Sequence, residues 1–225
     1  LISYCFSIKI LYFSNHINYS GSIMLSRYLQ IFYCILICVF SSNTFAEMTI
    51  ENLIFDDSKP FHLKILDTLP NEAIIQIGSD EAENTIIEFM DYFCGYCKKI
   101  HPELVELANE RDDVRVIFLQ HPILSESSKV VAQMVVAANY QQKGFELHHA
   151  IFSISGSITQ EKLNQAIKDS GVNSIKLKID SSKDETEKII VLSSFLAGGI
   201  GARGTPSIFV NEIFTPGYIS KEQII

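Results

Sequence analysis

Apolar and polar positions along the chain follow two periods, and these periods predict strands and helices in a definite order. Short apolar runs, typical of buried strands, occur at Ala73–Gly78, Thr85–Asp91 and Val114–Leu119. Between the second and third runs, apolar residues recur at the spacing of one helical face, from Cys94 to about Arg111. The first half of the pattern therefore predicts the order strand, strand, helix, strand.

A long helical stretch, residues 125–197, follows the third strand. Its periodicity and end signals, including a helix stop at Gly144, predict several short helices. The predicted segments are Lys129–Gln142, Phe145–Phe152, Glu161–Ser170, a turn from Asn173 to Ile179, and a helix that runs from a capping box at Ser182 and Glu185 to Ala197.

Strand patterns return towards the C-terminus, at Ser207–Val210 and Glu212–Phe214. A turn at Thr215–Gly217 and a capping box formed by Ser220 and Gln223 then predict a final helix, truncated where the sequence stops. Because strands lie on both sides of the helical stretch, the predicted fold class is α/β. A mixed sheet interrupted by a helical insertion fits this order better than two domains in series.

The same pattern divides the chain into segments. Residues 73–124 and 198–225 supply the predicted sheet, and residues 125–197 supply the helical insertion. Residues 47–72 mix acidic and apolar side chains, which predicts a partly ordered lead-in that is too short to be a separate domain.

The N-terminal residues carry the pattern of a secretion signal. The positive charge of Arg27 precedes an apolar core at Ile31–Phe40, and Thr44–Ala46 resembles a signal-peptidase site. Residues 24–46 are therefore predicted to be a cleaved signal peptide of a periplasmic protein, with an uncleaved membrane anchor as the alternative. Residues 1–23 are predicted to be upstream sequence from a misassigned start.

Removal of these segments changes the cysteine count. Of five cysteines in the sequence, only Cys94 and Cys97 lie outside the predicted signal and upstream segments. An exported protein that keeps only a closely spaced pair indicates redox chemistry outside the cytoplasm. Structural zinc would need further Cys or His ligands at suitable spacing, and haem attachment would need histidine in place of Lys98. The sequence therefore predicts no metal and no cofactor.

The position of the cysteine pair predicts its chemistry. Cys94 lies where a strand gives way to a helix, so the unpaired backbone N–H groups and the helix dipole stabilise a thiolate and lower its pKa. Cys97 lies about one turn later on the same face and can close a disulfide. Glu88 interrupts the apolar strand before the pair. It is either a buried acid that handles a proton or a solvent-facing strand residue.

Other charged side chains near the pair have less definite roles. Lys98 and Lys99 either add positive charge near the thiolate or are solvated surface residues. His101 is expected on the surface of the helix. His148 and His149 are expected to pack within the helical insertion rather than to bind a metal.

The segment Glu88–Leu104, joined to Gly201–Asn211, resembles the DsbA-like thiol:disulfide oxidoreductases of the thioredoxin superfamily. The similarity covers nearly all of residues 73–225. The resemblance implies a thioredoxin fold with an inserted helical subdomain.

The resemblance also implies roles for individual residues. Cys94 would be the sulfur that exchanges with the substrate, and Cys97 would resolve the mixed disulfide. Glu88 would pass a proton to Cys97. Thr205 and Pro206 match a cis-proline loop that faces the disulfide and whose free backbone groups can pair with a substrate strand.

Gly95, Tyr96 and Thr205 resemble the DsbC-type disulfide isomerases instead, so the direction of the reaction stays open. The leading hypothesis is an oxidase that acts on reduced exported proteins and is reoxidised by a membrane partner of the DsbB type. The alternative is an isomerase or reductase acting on misoxidised proteins, although a lead-in of about 25 residues is too short for the dimerisation domain of such isomerases. A non-catalytic envelope binding protein is the third hypothesis. The net charge of −8 argues against a nucleic-acid partner.

Overall fold

The computed structural model describes residues 59–224. The predicted upstream segment, the signal peptide and residues 47–58 of the lead-in lie outside the described residues. In chain order the helices and strands are α1 (Phe61–Asp67), β1 (Ile75–Ile77), β2 (Asn84–Met90), α2 (Gly95–Glu110), β3 (Val114–Gln120), α3 (Glu126–Asn139), α4 (Gly144–Phe152), α5 (Gln160–Asp169), α6 (Ser174–Ser181), α7 (Asp184–Gly199), β4 (Ser207–Val210), β5 (Ile213–Pro216) and α8 (Lys221–Ile224). Within this range, the helices are too short or too polar to cross a membrane.

The strands form one mixed sheet with the order β1-β3-β2-β4-β5. Strands β2 and β3 are parallel, and the other neighbouring pairs are antiparallel. Helices α3 to α7 lie in the chain between β3 and β4, so the predicted mixed sheet with a helical insertion is confirmed. Strand β2 is central and its chain continues directly towards α2, which places the start of α2 beside the middle of the sheet.

Helix α2 is anchored to the sheet by its apolar face. Ile100, Leu104 and Leu107 recur at helical spacing and are buried, as predicted from their period. Each such side chain contributes about 1.5–3 kcal/mol by burial. This anchoring holds the first turn of α2, and with it the cysteine pair, in a fixed place against β2.

The lead-in is more ordered than expected in its described part. It contains α1 and a 3₁₀ turn at Asn71–Ala73. Ile65, Leu69 and Ala73 are buried in the main core, so this segment is packed onto the domain rather than appended to it.

The predicted helix stop at Gly144 is wrong, because Gly144 is the first residue of α4. A Cβ atom at this position would lie 2.5 Å from Asn139 Oδ1 and 2.6 Å from Ile75 Cδ1. A larger residue would have to displace these two side chains, so glycine fits best where α4 packs closely against β1 and the end of α3. Sequence alone does not distinguish this use of glycine from helix termination.

Two helix starts differ from those predicted. Helix α3 begins before Lys129 because the Ser125 side chain accepts a hydrogen bond from the Ser128 N–H at 3.1 Å. The predicted capping box at Ser182 is wrong. Its hydroxyl donates instead to the carbonyl of Lys178 at 3.1 Å, and Ser182 ends α6, while α7 begins with no side-chain cap.

The predicted turn at Thr215–Gly217 is also displaced, since Thr215 and Pro216 belong to β5. Of the three predicted turn residues only Gly217, with a φ of 130°, follows the strand. The separate reversal between β4 and β5 lies at Asn211, which has a φ of 51° and accepts a hydrogen bond from the Thr85 N–H through its side chain. Proline is tolerated at the end of an edge strand because its missing N–H is not needed there.

The start of the last helix carries one bond of its predicted capping box. Gln223 Oε1 accepts a hydrogen bond from the Ser220 N–H at 3.0 Å. Helix α8 begins at the next residue, Lys221.

Candidate dithiol active site

The two cysteines lie at the N-terminus of α2, as predicted. Cys94 is the N-cap residue, with an extended backbone, and Cys97 lies in the first turn. Both are buried and both are free cysteines, so the structure shows the reduced pair.

The loop before the pair is fixed by Asp91, a residue that the sequence analysis missed. Asp91 is buried, and its carboxylate accepts hydrogen bonds from the Phe93 N–H at 2.8 Å and the Leu124 N–H at 3.0 Å. Its carbonyl accepts a bond from the Cys94 N–H at 3.0 Å. Aspartate just after a strand and before a turn is a signal for such backbone capping. Asp91 therefore ties the cysteine loop to the chain after β3.

Cys94 is the more acidic thiol. Its pKa is lowered to about 5, first by the hydrogen bond from the Cys97 thiol and then by Thr205 and the N–H groups of Cys97 and Tyr96. Its Sγ atom lies 3.0 Å from the Thr205 carbonyl oxygen. The buried Thr205 hydroxyl has no other hydrogen-bond partner in the described structure and can donate to the thiolate.

The pKa of Cys97 is shifted in the opposite direction. Its pKa is raised, mainly by burial, then by its hydrogen bond to Cys94 and by the nearby negative charge of Glu88. At neutral pH the pair therefore consists of a thiolate at Cys94 and a thiol at Cys97. This asymmetry makes Cys94, the sulfur nearer the surface, the more nucleophilic of the two at neutral pH.

Glu88 lies in the central strand, paired in register with Phe118 of β3 and Ile208 of β4. It is fully buried, so the solvent-facing alternative is wrong. Neither carboxylate oxygen has a hydrogen-bond partner of good geometry in the described structure. Burial raises the pKa of Glu88 to about 8, against an opposing interaction with the Cys97 thiol. Glu88 therefore carries a proton at neutral pH and lies beside the Cys97 thiol.

The other predicted site residues surround Cys94. The Thr205–Pro206 peptide bond is cis, as the resemblance implies, and the Thr205 carbonyl meets Cys94. Gly95 is exposed, and a Cβ there would meet no atom within 4 Å. Tyr96 is 60% exposed. Thr205 and the Tyr96 N–H thus interact with the Cys94 sulfur, while Gly95 and the Tyr96 ring are exposed beside it in the chain.

Tyr218, which the sequence analysis missed, flanks Tyr96. The two rings lie 5.7 Å apart between centroids, and the Lys99 Nζ lies 4.3 Å from the centroid of the Tyr218 ring. Lys98 donates hydrogen bonds to the carbonyls of Ile154 and Gly156. The ammonium groups of both lysines are thus engaged away from Cys94, and neither lysine is among the causes of its lowered pKa.

His101 is buried, so its expected surface position is wrong. Helix α4 covers that face of α2, and the His101 ring packs against His148, His149 and Phe152. His148 is fully buried and His149 is exposed. Among residues 59–224, no three or more His, Cys, Asp or Glu side chains are grouped so as to hold a metal ion.

We expect the ultraviolet absorbance of the thiolate in the reduced protein to titrate with a midpoint near pH 5, because the hydrogen bonds to Cys94 favour its charged form. Alkylation rates measured over the same pH range should follow the same curve. Replacing Cys97 with alanine removes the largest of these bonds and should raise the midpoint. A midpoint near the ordinary cysteine value of 9.0 would contradict the assigned geometry.

Comparisons with known proteins give a consistent result. A family model described as Thioredoxin matches residues 70–224. A solved structure of a thioredoxin-like oxidoreductase from Silicibacter pomeroyi DSS-3 is 30% identical, with a TM-score of 0.65, and the match covers 71% of this chain and 91% of that one. No curated protein matches the chain.

Two further structures are similar to this chain. A periplasmic thioredoxin-like protein from Salmonella enterica serovar Typhimurium is 26% identical, with a TM-score of 0.63, over 71% of this chain and 91% of that one. The thiol-disulfide exchange protein alpha-DsbA2 from Wolbachia pipientis is 25% identical, with a TM-score of 0.62, over 71% of this chain and 90% of that one.

Proposed function

Because this chain belongs to the thioredoxin family, we propose that it is a thiol:disulfide oxidase that introduces disulfide bonds into exported proteins. Family membership confirms the predicted thioredoxin fold, here with α3 to α7 inserted before the last two strands. The observation that carries the proposal is the opposite shift of the two cysteine pKa values, down at Cys94 and up at Cys97.

The lowered pKa of Cys94 favours oxidation of clients. A thiolate that is stabilised by hydrogen bonds lowers the free energy of the reduced protein, and this makes the disulfide form easier to reduce. A sulfur with a pKa of about 5 is also a good leaving group. The disulfide of this protein is therefore expected to pass readily to a client with ordinary thiols.

The reaction takes place in two exchanges. A client thiolate attacks Cys94 Sγ, the Cys94–Cys97 bond breaks, and Cys97 leaves as a thiolate that takes the proton of Glu88. A second client thiolate then attacks the client sulfur of the mixed disulfide and releases Cys94 as a thiolate. The client loses two electrons and gains a disulfide, and the enzyme pair gains those two electrons.

Client binding is assigned to the accessible side of Cys94. The backbone groups at Thr205 and Pro206 can pair with an extended client segment. Gly95 leaves room for the backbone of that segment, and Tyr96 offers an exposed ring to its side chains. Sequence-tolerant backbone pairing of this kind suits an enzyme that must accept many clients.

The location and the electron acceptor are parts of the same proposal. The predicted signal peptide at residues 24–46, together with similarity to a protein described as periplasmic, supports a role in the periplasm. Because each turnover leaves the pair reduced, a partner must remove two electrons, and a membrane protein of the DsbB type fits this requirement.

A paired refolding assay of the purified protein tests the proposal. One arm supplies a fully reduced client, and the other supplies a client with scrambled disulfides. We expect fast oxidation of the first client and little rescue of the second, measured by the recovery of client activity. Rescue of the scrambled client would instead favour the isomerase hypothesis. That hypothesis is based on the resemblance of Gly95, Tyr96 and Thr205 to the DsbC-type isomerases.

The Cys94→Ser variant is the control for both arms and should be inactive. If the unmodified protein is also inactive in both arms, oxidase and isomerase are both excluded and a non-catalytic binding protein is left.

A further inference from the structure

A cluster of polar side chains, three of them buried, lies where α2 packs against α4, and the mechanism above does not use it. We call Tyr92, His101, His148 and His149 the histidine cluster. The Tyr92 hydroxyl and His148 Nδ1 are hydrogen-bonded at 2.9 Å, and so are His101 Nε2 and His149 Nδ1. The rings of His101 and His148 are in edge contact, with centroids 4.8 Å apart. The cluster is therefore continuous from Tyr92 to His149.

The two ends of the histidine cluster have different surroundings. Tyr92 is buried, comes from the segment between β2 and α2, and interacts electrostatically with Glu88. Phe118, the neighbour of Glu88 in the sheet, packs on the His148 ring with centroids 4.2 Å apart. At the other end, His149 is exposed on α4. The cluster thus extends from the vicinity of the buried Glu88 carboxyl to solvent.

Buried histidine rings are unusual in a hydrophobic core, where apolar side chains would pack equally well. Burial lowers the pKa of His101 to about 3 and that of His148 well below its ordinary value, so both rings are neutral. His101 Nδ1 and His148 Nε2 have no hydrogen-bond partner in the described structure. A buried polar atom without a partner costs about 1–3 kcal/mol, which apolar side chains would avoid. A functional reason for keeping these side chains is therefore required.

We propose that the histidine cluster carries protons between the Glu88 carboxyl and solvent. This proposal rests on the proposed function, in which Glu88 gives a proton to Cys97 and must then be reprotonated although it has no exposed surface. A neutral imidazole can accept a proton on one nitrogen and release one from the other, and a tyrosine hydroxyl can do the same. The path therefore needs no lasting charge in the core.

The proton balance is simple. Glu88 gives one proton to the Cys97 thiolate and takes one from Tyr92. Tyr92 takes one from His148, which takes one from His101. His101 takes one from His149, and His149 takes one from water. One proton enters from solvent for each proton delivered, and the ring tautomers reset when the flow reverses on reoxidation.

Two links on this path, Glu88 to Tyr92 and His148 to His101, are not direct hydrogen bonds. At both links the polar atoms lack partners, namely the Glu88 oxygens on one side and the two unpaired ring nitrogens on the other. Gln120, which donates to the Tyr92 hydroxyl at 3.5 Å, also has an unpartnered Oε1. Internal water with two or more polar partners would complete each link. Asp91 and the cysteine pair are the other titratable groups that act on Tyr92 and Glu88.

The test is a pH jump across the pKa of Glu88, which is about 8. The infrared band of the protonated Glu88 carboxyl, identified by its loss in Glu88→Gln, reports how fast this group exchanges its proton. We expect Tyr92→Phe and His149→Ala each to slow the exchange by about tenfold or more. Imidazole added to the solution should restore the rate in His149→Ala, since it replaces the exposed end of the path.

The controls separate proton transfer from structure. His149 is exposed, so His149→Ala should unfold like the unmodified protein, and Glu146→Ala, also exposed on α4, should exchange at the unmodified rate. An unchanged rate in either Tyr92→Phe or His149→Ala, or a slow rate in His149→Ala that imidazole does not restore, would overturn the proposal. The jump needs no client, so this result is independent of whether the protein proves to be an oxidase.

Discussion

Replacing Cys97 with serine is expected to leave the protein covalently joined to its client and to reduce turnover by about a thousandfold or more. Before the client is added, Cys94 of the variant is converted to a mixed disulfide with a small thiol, which the client then displaces. Cys94 remains the accessible sulfur with the lowered pKa. With a client that has a single cysteine, release of the adduct requires Cys97, so the adduct persists in the variant. With other clients turnover falls because the variant cannot form the Cys94–Cys97 disulfide that the reaction uses. Non-reducing electrophoresis and mass spectrometry of the trapped adduct measure this result.

The matched control is Cys94→Ser. It keeps the buried Cys97, whose pKa is raised and whose sulfur has no exposed surface, so it should form no adduct. Equal adduct formation by the two variants would contradict the assigned roles, because it would mean that the cysteines are equally reactive.

Replacing Glu88 with glutamine is expected to slow client oxidation by about a hundredfold, because the Cys97 thiolate then lacks a nearby proton donor. In the unmodified protein the rate, corrected for the ionisation of client thiols, should fall as the pH rises through about 8 and Glu88 loses its proton. The variant should be slow at every pH and should lack this fall. Stopped-flow mixing of the oxidised protein with a reduced peptide measures both profiles.

The same substitution has a separate effect on stability. The folded pKa of Glu88 is raised to about 8 from an ordinary value of 4.5, so between these values the folded state holds a proton that the unfolded state has lost. The stability that this proton contributes is therefore full below about pH 4.5, falls as the pH rises from there, and is lost once the pH has passed the folded pKa of about 8, a total on the order of 5 kcal/mol. Urea unfolding of the oxidised protein should show this decline, and Glu88→Gln should remove it.

Glu88→Leu is the control for the two Glu88 effects. Leucine removes the proton donor and the buried charge together, so it should be slow in oxidation and as free of the pH-dependent decline as glutamine. If the pH-dependent loss of stability persists in both variants, it must come from titratable groups other than Glu88.

The strands, the cysteine pair and the fold class followed from sequence because their causes are local. A strand that is apolar on both faces, such as Ile86 to Met90, or a helical period after Cys97 depends on residues a few positions apart. The direction of the Cys94 pKa shift was predictable for the same reason, since the Cys97 thiol and the N–H groups that favour its thiolate belong to the helix that it begins, whereas the contribution of Thr205 comes from a distant loop.

The tertiary structure alone decided what surrounds those elements. The apolar residues around Glu88 do not reveal whether this side chain is itself covered. Its pairing with β3 and β4 and its contact with Cys97 of α2 bury it completely. His101 has the polarity of a surface residue and is buried only because α4 packs over it.

Contacts made by residues distant in the chain were equally inaccessible to sequence reasoning. Thr205 contacts Cys94, Tyr218 packs against Tyr96, and a Cβ at Gly144 would displace the side chains of Asn139 and Ile75. Local periodicity determines which element forms, because it acts through the backbone of a few neighbouring residues. Burial, and with it the pKa values on which the proposed chemistry depends, is set by the elements that the fold packs against each side chain.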